Sequence, residues 1–519
     1  MDWTELPFNN VDDVCHSRPP VNPKDLFSLL PDELKLNISE RLLGDNAALA
    51  ALARVSSRFT GIAEQCLYKE IFIPKCRHDQ SYGNLVFLIR TLINRPDLAQ
   101  KTRRLQVIVA NRRSSDDIQG HHWITYTKVA DLQQLFGAHM KDFVRQCNDH
   151  VRALEQSYTK PREARRVLRY WRKLLNSGVE VAHGGLLLTL LPNLAVLDFT
   201  EAAVEGRVAD DLVSEAIFGV RMPYNDVWGV GDDMAPAVLQ HILAGLNHVK
   251  RLNTTAAGLS LLFLEFANLE TLDVELIFED DYGFFAGYGY YESHFQPNHP
   301  HLKSLIARLD WSEIDSERRL SPDLGGLFDF LDGSTLNNLE VIFVRSPTRY
   351  EGHSTLGSFD KLLPQLRPLY QTLRRLKIDI QLDADMPHMS GMRKLDPREF
   401  NKFSPVNSLA AFTQLRTLEV FQQVLIDRDY IQSMYHEKDN MHRLLPPNIE
   451  QLTINCPDIR VQSWLDCLRK AKEHYPYLHQ ILLACDWRFG ETATQFMHEN
   501  LPVFAELEEV GITSRIFDA

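Results

Sequence analysis

The stretch FANLETLDVELIF, residues 266–278, carries the pattern on which the predicted fold depends. Leu269 is followed, after two variable positions, by Leu272, and apolar residues then alternate with polar ones. Alternation with a period of two places the apolar side chains on one face of a β-strand. The stretch therefore predicts a strand that begins close to Leu272 and buries one of its faces.

Similar phrases recur along the chain, each with an apolar residue, two variable residues and a second apolar anchor. One such unit cannot bury its apolar face alone, but stacked units bury a continuous core while each strand adds beside the previous one. The pattern predicts repeated α/β units, and an ordinary α/β domain with parallel strands is the alternative. The predicted second anchors are Leu197, Leu252, Leu272, Leu305, Ile342, Leu376, Leu418, Leu452, Ile481 and Val510.

These phrases resemble leucine-rich repeats over roughly residues 185–519. The resemblance implies an irregular solenoid of horseshoe shape, in which the loops that follow the strands lie along one rim and bind a partner. The asparagine or cysteine that usually follows the strand in this family is mostly absent, and Cys456 in LTINC comes closest.

The stretch LPDELKLNISERL, residues 30–42, predicts a short helix near the N-terminus. Pro31 suits the first helical turn, and Leu34, Ile38 and Leu42 recur every four residues, which places them on one face. Two more short helices are expected before a strand-like pattern begins. Three helices in about 40 residues are seldom stable alone. Their remaining apolar residues are therefore expected to face either the rest of this chain or a second protein.

Residues 30–71 resemble an F-box, the helical module by which substrate receptors dock on the Skp adaptor of cullin-RING ubiquitin ligases. The Leu-Pro opening, the spacing of apolar residues and the later VSSRF carry the resemblance together. Ser39 and Phe59 depart from the family, which usually has a large apolar residue and often tryptophan at these places. The resemblance implies adaptor contacts by Leu30, Pro31, Leu34, Ile38, Leu42, Leu49, Leu52, Val55, Ser56 and Phe59.

The region between the two resemblances predicts long helices that are interrupted at Pro161, and before them RRLQVIVA, residues 103–110, predicts an irregular strand. The expected fold class is α/β, with an N-terminal three-helix F-box followed by an irregular leucine-rich-repeat solenoid with a helical insertion. The expected segments are a flexible leader (1–25), the F-box (26–73), a linking region with long helices (74–184) and the repeat domain (185–519).

Composition limits the partners and the compartment. The formal net charge of −13 disfavours nucleic acid and anionic membranes as partners. The seven cysteines include no Cys-x-x-Cys pair, which is typical of reduced thiols and argues against a zinc site. The sequence shows neither a signal peptide at its start nor an uninterrupted run of 18 apolar residues. We therefore expect cytoplasmic or nuclear localisation, or both.

Motifs that carry catalysis are incomplete. GVGDDM has Met234 where a dinucleotide-binding fingerprint needs glycine, and GHSTL has Leu356 where a nucleophile elbow needs glycine. HEKDN lacks the second histidine of a zinc-protease helix, and the sequence contains no glycine-rich phosphate loop that ends in Lys-Ser or Lys-Thr. We expect no enzymatic activity, no cofactor and no metal.

Two further segments are candidates for partner contacts. The basic run KPREARRVLRYWRKL, residues 160–174, is either the solvated face of an amphipathic helix or a contact for an acidic partner. The segment FEDDYGFFAGYGYYESHF, residues 278–295, combines aromatic residues with glycines, as protein-binding loops do, or packs onto neighbouring units. The candidate client-binding residues are Phe284, Phe285, Tyr288, Tyr290 and Tyr291.

The two resemblances together imply a substrate-recognition subunit of an SCF-type cullin-RING ubiquitin ligase. The F-box would dock on a Skp-type adaptor, and the repeat domain would bind a client protein whose identity the sequence does not specify. Such a subunit raises the effective concentration of client lysines near the charged ubiquitin carrier and needs no catalytic residue of its own. The alternative is a scaffold protein whose F-box does not recruit a cullin.

Overall fold

The protein consists of two compact units, residues 1–269 and 270–519. The predicted leader and the aromatic segment 278–295 lie outside the residues that the structure describes. This structure is a computed structural model, and it describes residues 30–43, 45–55, 57–73, 82–111, 136–176, 180–203, 235–255, 261–262, 264, 266–276, 299–310, 324, 327–328, 331, 335–344, 358–380, 403–426, 441–485 and 502–518.

The first unit starts with three short helices: α1 (Asp32–Glu40), α2 (Asn46–Val55) and α3 (Ser57–Lys69). The last of these helices continues directly into the first strand. The strands of this unit are β1 (Glu70–Ile73), β2 (Arg104–Asn111), β3 (Val196–Ala203) and β4 (Arg251–Thr255). Its other helices are Tyr82–Asn94, Pro96–Lys101, Met140–Ser157, Pro161–Val167, Arg169–Asn176, Glu180–Leu190 and Ala235–Ile242.

The second unit contains eight strands among the described residues, with short helices between them. These strands are β5 (Thr271–Leu276), β6 (Ser304–Asp310), β7 (Asn338–Val344), β8 (Arg375–Ile380), β9 (Thr417–Phe421), β10 (Gln451–Asn455), β11 (Gln480–Cys485) and β12 (Thr513–Asp518). The α-helices include Leu362–Gln365, Met441–Leu444 and Arg460–Lys470, and a further helix spans residues 502–509. Each strand from β5 to β12 pairs in parallel with the next.

A column of buried leucine and isoleucine side chains follows from this register. Within the second unit, Leu272 pairs with Leu305, and the same position continues through each following strand as far as Ile481. Each of these side chains is buried. Two predicted anchors are wrong: Leu339 occupies the column in β7 instead of Ile342, and Ser514 is the β12 residue that pairs with Ile481. The other predicted anchors lie in strands at the expected position.

The expected architecture of a three-helix F-box followed by a leucine-rich-repeat solenoid is wrong. The protein is α/β, but its strands pair in parallel in chain order, β1 to β4 in the first unit and β5 to β12 in the second, with helices between them. The sheet begins at β1, directly after α3, because Glu70–Ile73 pairs with β2. The strand-like pattern expected after the third helix is β1, so the strand-rich region starts well before its expected boundary near residue 185.

The structure confirms two details predicted for the region before residue 185. The stretch RRLQVIVA lies in β2, which pairs with both β1 and β3. The long helix ends at Ser157, and a new helix begins at Pro161, where proline occupies the first helical turn. In the described part of the chain, the helices are all too short or too polar to cross a membrane.

Candidate functional site

The inner side of α1 is polar. Lys35 and Ser39 are both buried, although their neighbours Leu34 and Ile38 are more exposed. The Lys35 ammonium lies 2.9 Å from the Asp32 carboxylate and 5.8 Å from the centre of the Phe59 ring in α3. The Ser39 hydroxyl donates to the carbonyl of Lys35 at 2.9 Å. These partners allow polar residues to occupy a side of the helix that is normally apolar.

The outer side of α1 carries apolar residues beside exposed polar ones such as Glu33 and Asn37. Leu34 is 49% exposed, and Ile38 lies one turn further along the same face and is half-buried. Val55, at the end of α2, is 68% exposed. A surface helix normally turns its apolar stripe toward the core, so α1 shows the reverse arrangement. An exposed apolar stripe on a short helix is typical of a protein-binding surface.

The predicted adaptor-contact residues divide into two groups. Leu49 and Phe59 are 1% and 0% exposed, so they hold the three helices together and offer no area to a partner of the folded chain. Ser56 lies outside the described residues. The outward group is called the α1 surface below and comprises Leu30, Pro31, Leu34, Ile38, Leu42, Leu52 and Val55, which are half-buried or exposed.

A charged cluster lies on the polar face of the second unit's strands. Lys377 on β8 lies 3.1 Å from Glu340 on β7, 3.0 Å from Asp379 and 3.3 Å from Glu419 on β9. Burial alone would lower the pKa of Lys377, but the three surrounding carboxylates raise it above its usual value. The lysine is therefore held as a cation and joins three adjacent strands.

A second charged group lies on β5 and β6. The Arg308 guanidinium donates to both carboxylate oxygens of Asp273, each at 3.1 Å. Glu275 lies two residues beyond Asp273 and pairs with Arg308 in the strand register. Burial raises the pKa of Glu275 to about 7; the guanidinium partly offsets this shift and the Asp273 carboxylate adds to it. Glu275 thus titrates near neutral pH.

Glu275→Gln should flatten the dependence of stability on pH. Because the folded state holds the Glu275 proton more tightly, this residue contributes stability that is complete below its ordinary pKa of 4.5 and is lost as pH rises through about 7. Chemical denaturation of both proteins at several pH values measures the difference. The free energy of unfolding of the parent protein should fall relative to that of the variant across this window, and parallel profiles would contradict the prediction.

The basic run forms two consecutive helices, Pro161–Val167 and Arg169–Asn176. Glu155, which is 1% exposed on the preceding long helix, lies 2.8 Å from the Arg172 guanidinium and 3.7 Å from that of Arg165. The indole of Trp171 is buried and donates to the carbonyl of Ala182 at 3.1 Å. These contacts fix the inner side of the basic helices against the unit.

Sequence reasoning missed the Lys377 cluster and the Asp273–Arg308 pair. These charged residues occupy the strand positions that alternate with the apolar anchors. A prediction based on the apolar positions alone does not include them. The five candidate client-binding residues, Phe284 to Tyr291, lie outside the described residues. Within the described ranges, no group of three or more His, Cys, Asp and Glu side chains is arranged to hold a metal ion.

Comparisons with known proteins do not assign the chain to a family. The sequence matches no protein-family model, and a search of curated proteins gives no significant match.

Proposed function

We propose that the protein is a substrate-recognition subunit of an SCF-type cullin-RING ubiquitin ligase, acting in the cytoplasm, the nucleus or both. The α1 surface docks on a Skp-type adaptor, and the strand-rich region that follows binds a client protein. The chain itself performs no catalysis. Its contribution is to raise the effective concentration of the client beside the ubiquitin carrier.

The observation that carries the proposal is the reversed polarity of α1. Its apolar residues Leu34 and Ile38 face outward, while Lys35 and Ser39 occupy the inner side. Exposing leucine and isoleucine stripes costs roughly 25 cal/mol per Å² of apolar surface. A partner that covers the stripe recovers this free energy, and the F-box-like sequence of residues 30–71 points to a Skp-type adaptor as that partner.

The adaptor-binding step can be tested with the intact protein. Tagged protein purified from cells should retain both a Skp-type adaptor and a cullin, detected by immunoblotting. Leu34→Asp should lose both, because the charge lies on the docking face. Failure of the unmodified protein to retain either partner would overturn the proposed function.

Clients can be identified with the same variant. A full-length Leu34→Asp protein would still bind its client but could not present it to the ligase, so the client should accumulate on the variant. Quantitative mass spectrometry of the two purifications measures this enrichment. A client of the proposed ligase should be more abundant on the variant and should become less ubiquitinated when the variant replaces the parent protein.

One observation favours a second function, that of a scaffold which does not recruit a cullin. Leu49 and Phe59, which the family pattern places at the adaptor, are buried within this chain. The area left for docking is therefore smaller than the motif alone suggests. Retention of the adaptor without the cullin in the purification described above would support this second function over the first.

A further inference from the structure

The basic run presents one continuous cationic face. Residues 160–174 contain seven lysines and arginines and a single acid, Glu163, in a chain whose net charge is −13. Arg162, Arg166, Arg169 and Lys173 follow at intervals of four, three and four residues, the spacing that places side chains on one side of a helix. All four are exposed.

The two short helices form one continuous helical segment that carries these four cations. The Leu168 amide donates to the carbonyl of Ala164 at 2.9 Å, and the Arg172 amide donates to the carbonyl of Leu168 at 3.1 Å. Helical hydrogen bonding therefore continues across the residue between the helices. The side opposite the cations is buried, through Ala164, Leu168, Trp171 and Leu175.

A buried carboxylate fixes the orientation of this segment. Glu155 is 1% exposed and pairs with Arg172, which lies on the flank of the cationic face. Such a pair is costly to break by removing one partner, because the remaining charge stays desolvated. The basic helices are thus tied to the helix Met140–Ser157, and the exposed cations are held on a rigid surface instead of a loop.

We propose that this face, defined by Arg162, Arg166, Arg169 and Lys173, binds an acidic polypeptide segment rich in Asp and Glu. Charge complementarity carries the proposal, since a concentrated basic face on an otherwise acidic protein attracts an acidic segment and steers its approach. Guanidinium groups pair with carboxylates in a planar, two-bond geometry, which suits arginine-rich surfaces. The overall charge of −13 repels a long nucleic acid more strongly than a short acidic segment, because the nucleic acid carries its charge far beyond this face.

The test uses the full-length protein and a fluorescently labelled Glu-rich peptide, with an otherwise identical Gln-rich peptide as its neutral counterpart. Fluorescence anisotropy should show binding of the acidic peptide, weakening as salt rises. The variant Arg162→Gln/Arg166→Gln/Arg169→Gln should bind it about tenfold more weakly or worse, because three charge contacts are lost. Since these side chains are exposed, the unfolding temperature should stay close to that of the parent protein.

A matched control removes the same number of charges from the second unit. Lys303, Arg374 and Arg443 are exposed there, and their replacement by Gln should leave peptide affinity within about twofold of the parent. Equal losses in the two triple variants would overturn the proposal, because the effect would then follow net charge. Failure to bind the acidic peptide would also overturn it.

Two additional ligands distinguish the other anionic partners. Single-stranded RNA of mixed sequence and vesicles containing phosphatidylserine are measured under the same conditions. The acidic peptide should bind more tightly than either ligand at physiological salt. If RNA or vesicles bind more tightly than the acidic peptide, and this binding is lost in the basic-face variant, the proposal is overturned. The ligand of this face would then be a nucleic acid or a membrane surface.

Discussion

Leu34→Asp is expected to abolish binding of a Skp-type adaptor without destabilising the protein. Leu34 is 49% exposed, so in the free protein the new carboxylate stays hydrated. Docking would bury it against an apolar partner surface, where an unpaired charge is strongly unfavourable. The loss should exceed about 2 kcal/mol, the scale on which central contacts of an interface act. Calorimetric titration with purified adaptor measures the affinity, and thermal unfolding measures the stability.

Ile459→Asp is the matched control for this substitution. Ile459 is 62% exposed in the second unit, so the variant places the same charge on another exposed apolar residue. Its adaptor affinity should equal that of the parent protein. If Leu34→Asp binds as tightly as this control, the α1 surface does not dock on the adaptor. If it unfolds at a markedly lower temperature, α1 depends on Leu34 for its own packing.

The sequence could not predict which face of α1 meets solvent. Recurrence of Leu34, Ile38 and Leu42 every four residues shows that they share a face, but not whether that face meets core or solvent. In the structure, Lys35 lies on the inner side of α1, where its ammonium pairs with Asp32 and lies over the Phe59 ring. The face of Leu34 and Ile38 is therefore the one that meets solvent. Ser39, which departs from the family pattern, lies on the inner side of α1 and is therefore not part of the α1 surface.

The strand register shows a similar division between what the sequence predicts and what depends on pairing. The phrase around Leu272 alternates cleanly, so its buried apolar positions were predicted correctly, although Asp273 on the other face is buried as well. In β7, the consecutive apolar residues Val341, Ile342 and Phe343 fit either face, and the prediction selected the wrong one. Pairing of Leu339 with Leu305 and Leu376 settles which residues face inward. A one-residue shift in a strand exchanges its faces completely.

The charged clusters depend on pairing still more strongly. The carboxylates around Lys377 come from Glu340, Asp379 and Glu419, two of which lie on different strands from the lysine. No local spacing in the sequence brings these residues together. Their proximity follows only after β7, β8 and β9 are aligned, which explains why the apolar pattern could be predicted and this cluster could not.

Lys377→Met is expected to destabilise the second unit by about 2 to 3 kcal/mol at neutral pH. The side chain is 22% exposed, and its three carboxylate partners are 20–29% exposed, so the charges are only partly screened by water. Removing the lysine leaves Glu340 and Asp379 without its charge, while Glu419 keeps the Arg375 guanidinium at 3.3 Å. Breaking a fully buried pair costs roughly 3 to 5 kcal/mol, and partial exposure reduces that figure. Urea denaturation of the full-length protein, with tryptophan fluorescence as the probe, measures the loss.

The dependence of this loss on pH separates electrostatics from packing. Without Lys377, the clustered carboxylates in the folded variant bind protons more readily than in the unfolded chain, so lowering the pH should restore part of the variant's stability relative to the parent. Arg416→Met is the matched control, because Arg416 pairs with Glu450 at 3.1 Å on the exposed surface and its loss should cost at most about 1 kcal/mol. If Lys377→Met loses no more free energy of unfolding than Arg416→Met, or loses the same amount at every pH, the three carboxylates do not depend on the lysine. If Lys377→Met loses more stability than Arg416→Met and this loss becomes smaller at low pH, Lys377 is the cation that allows acidic residues to face one another across three parallel strands.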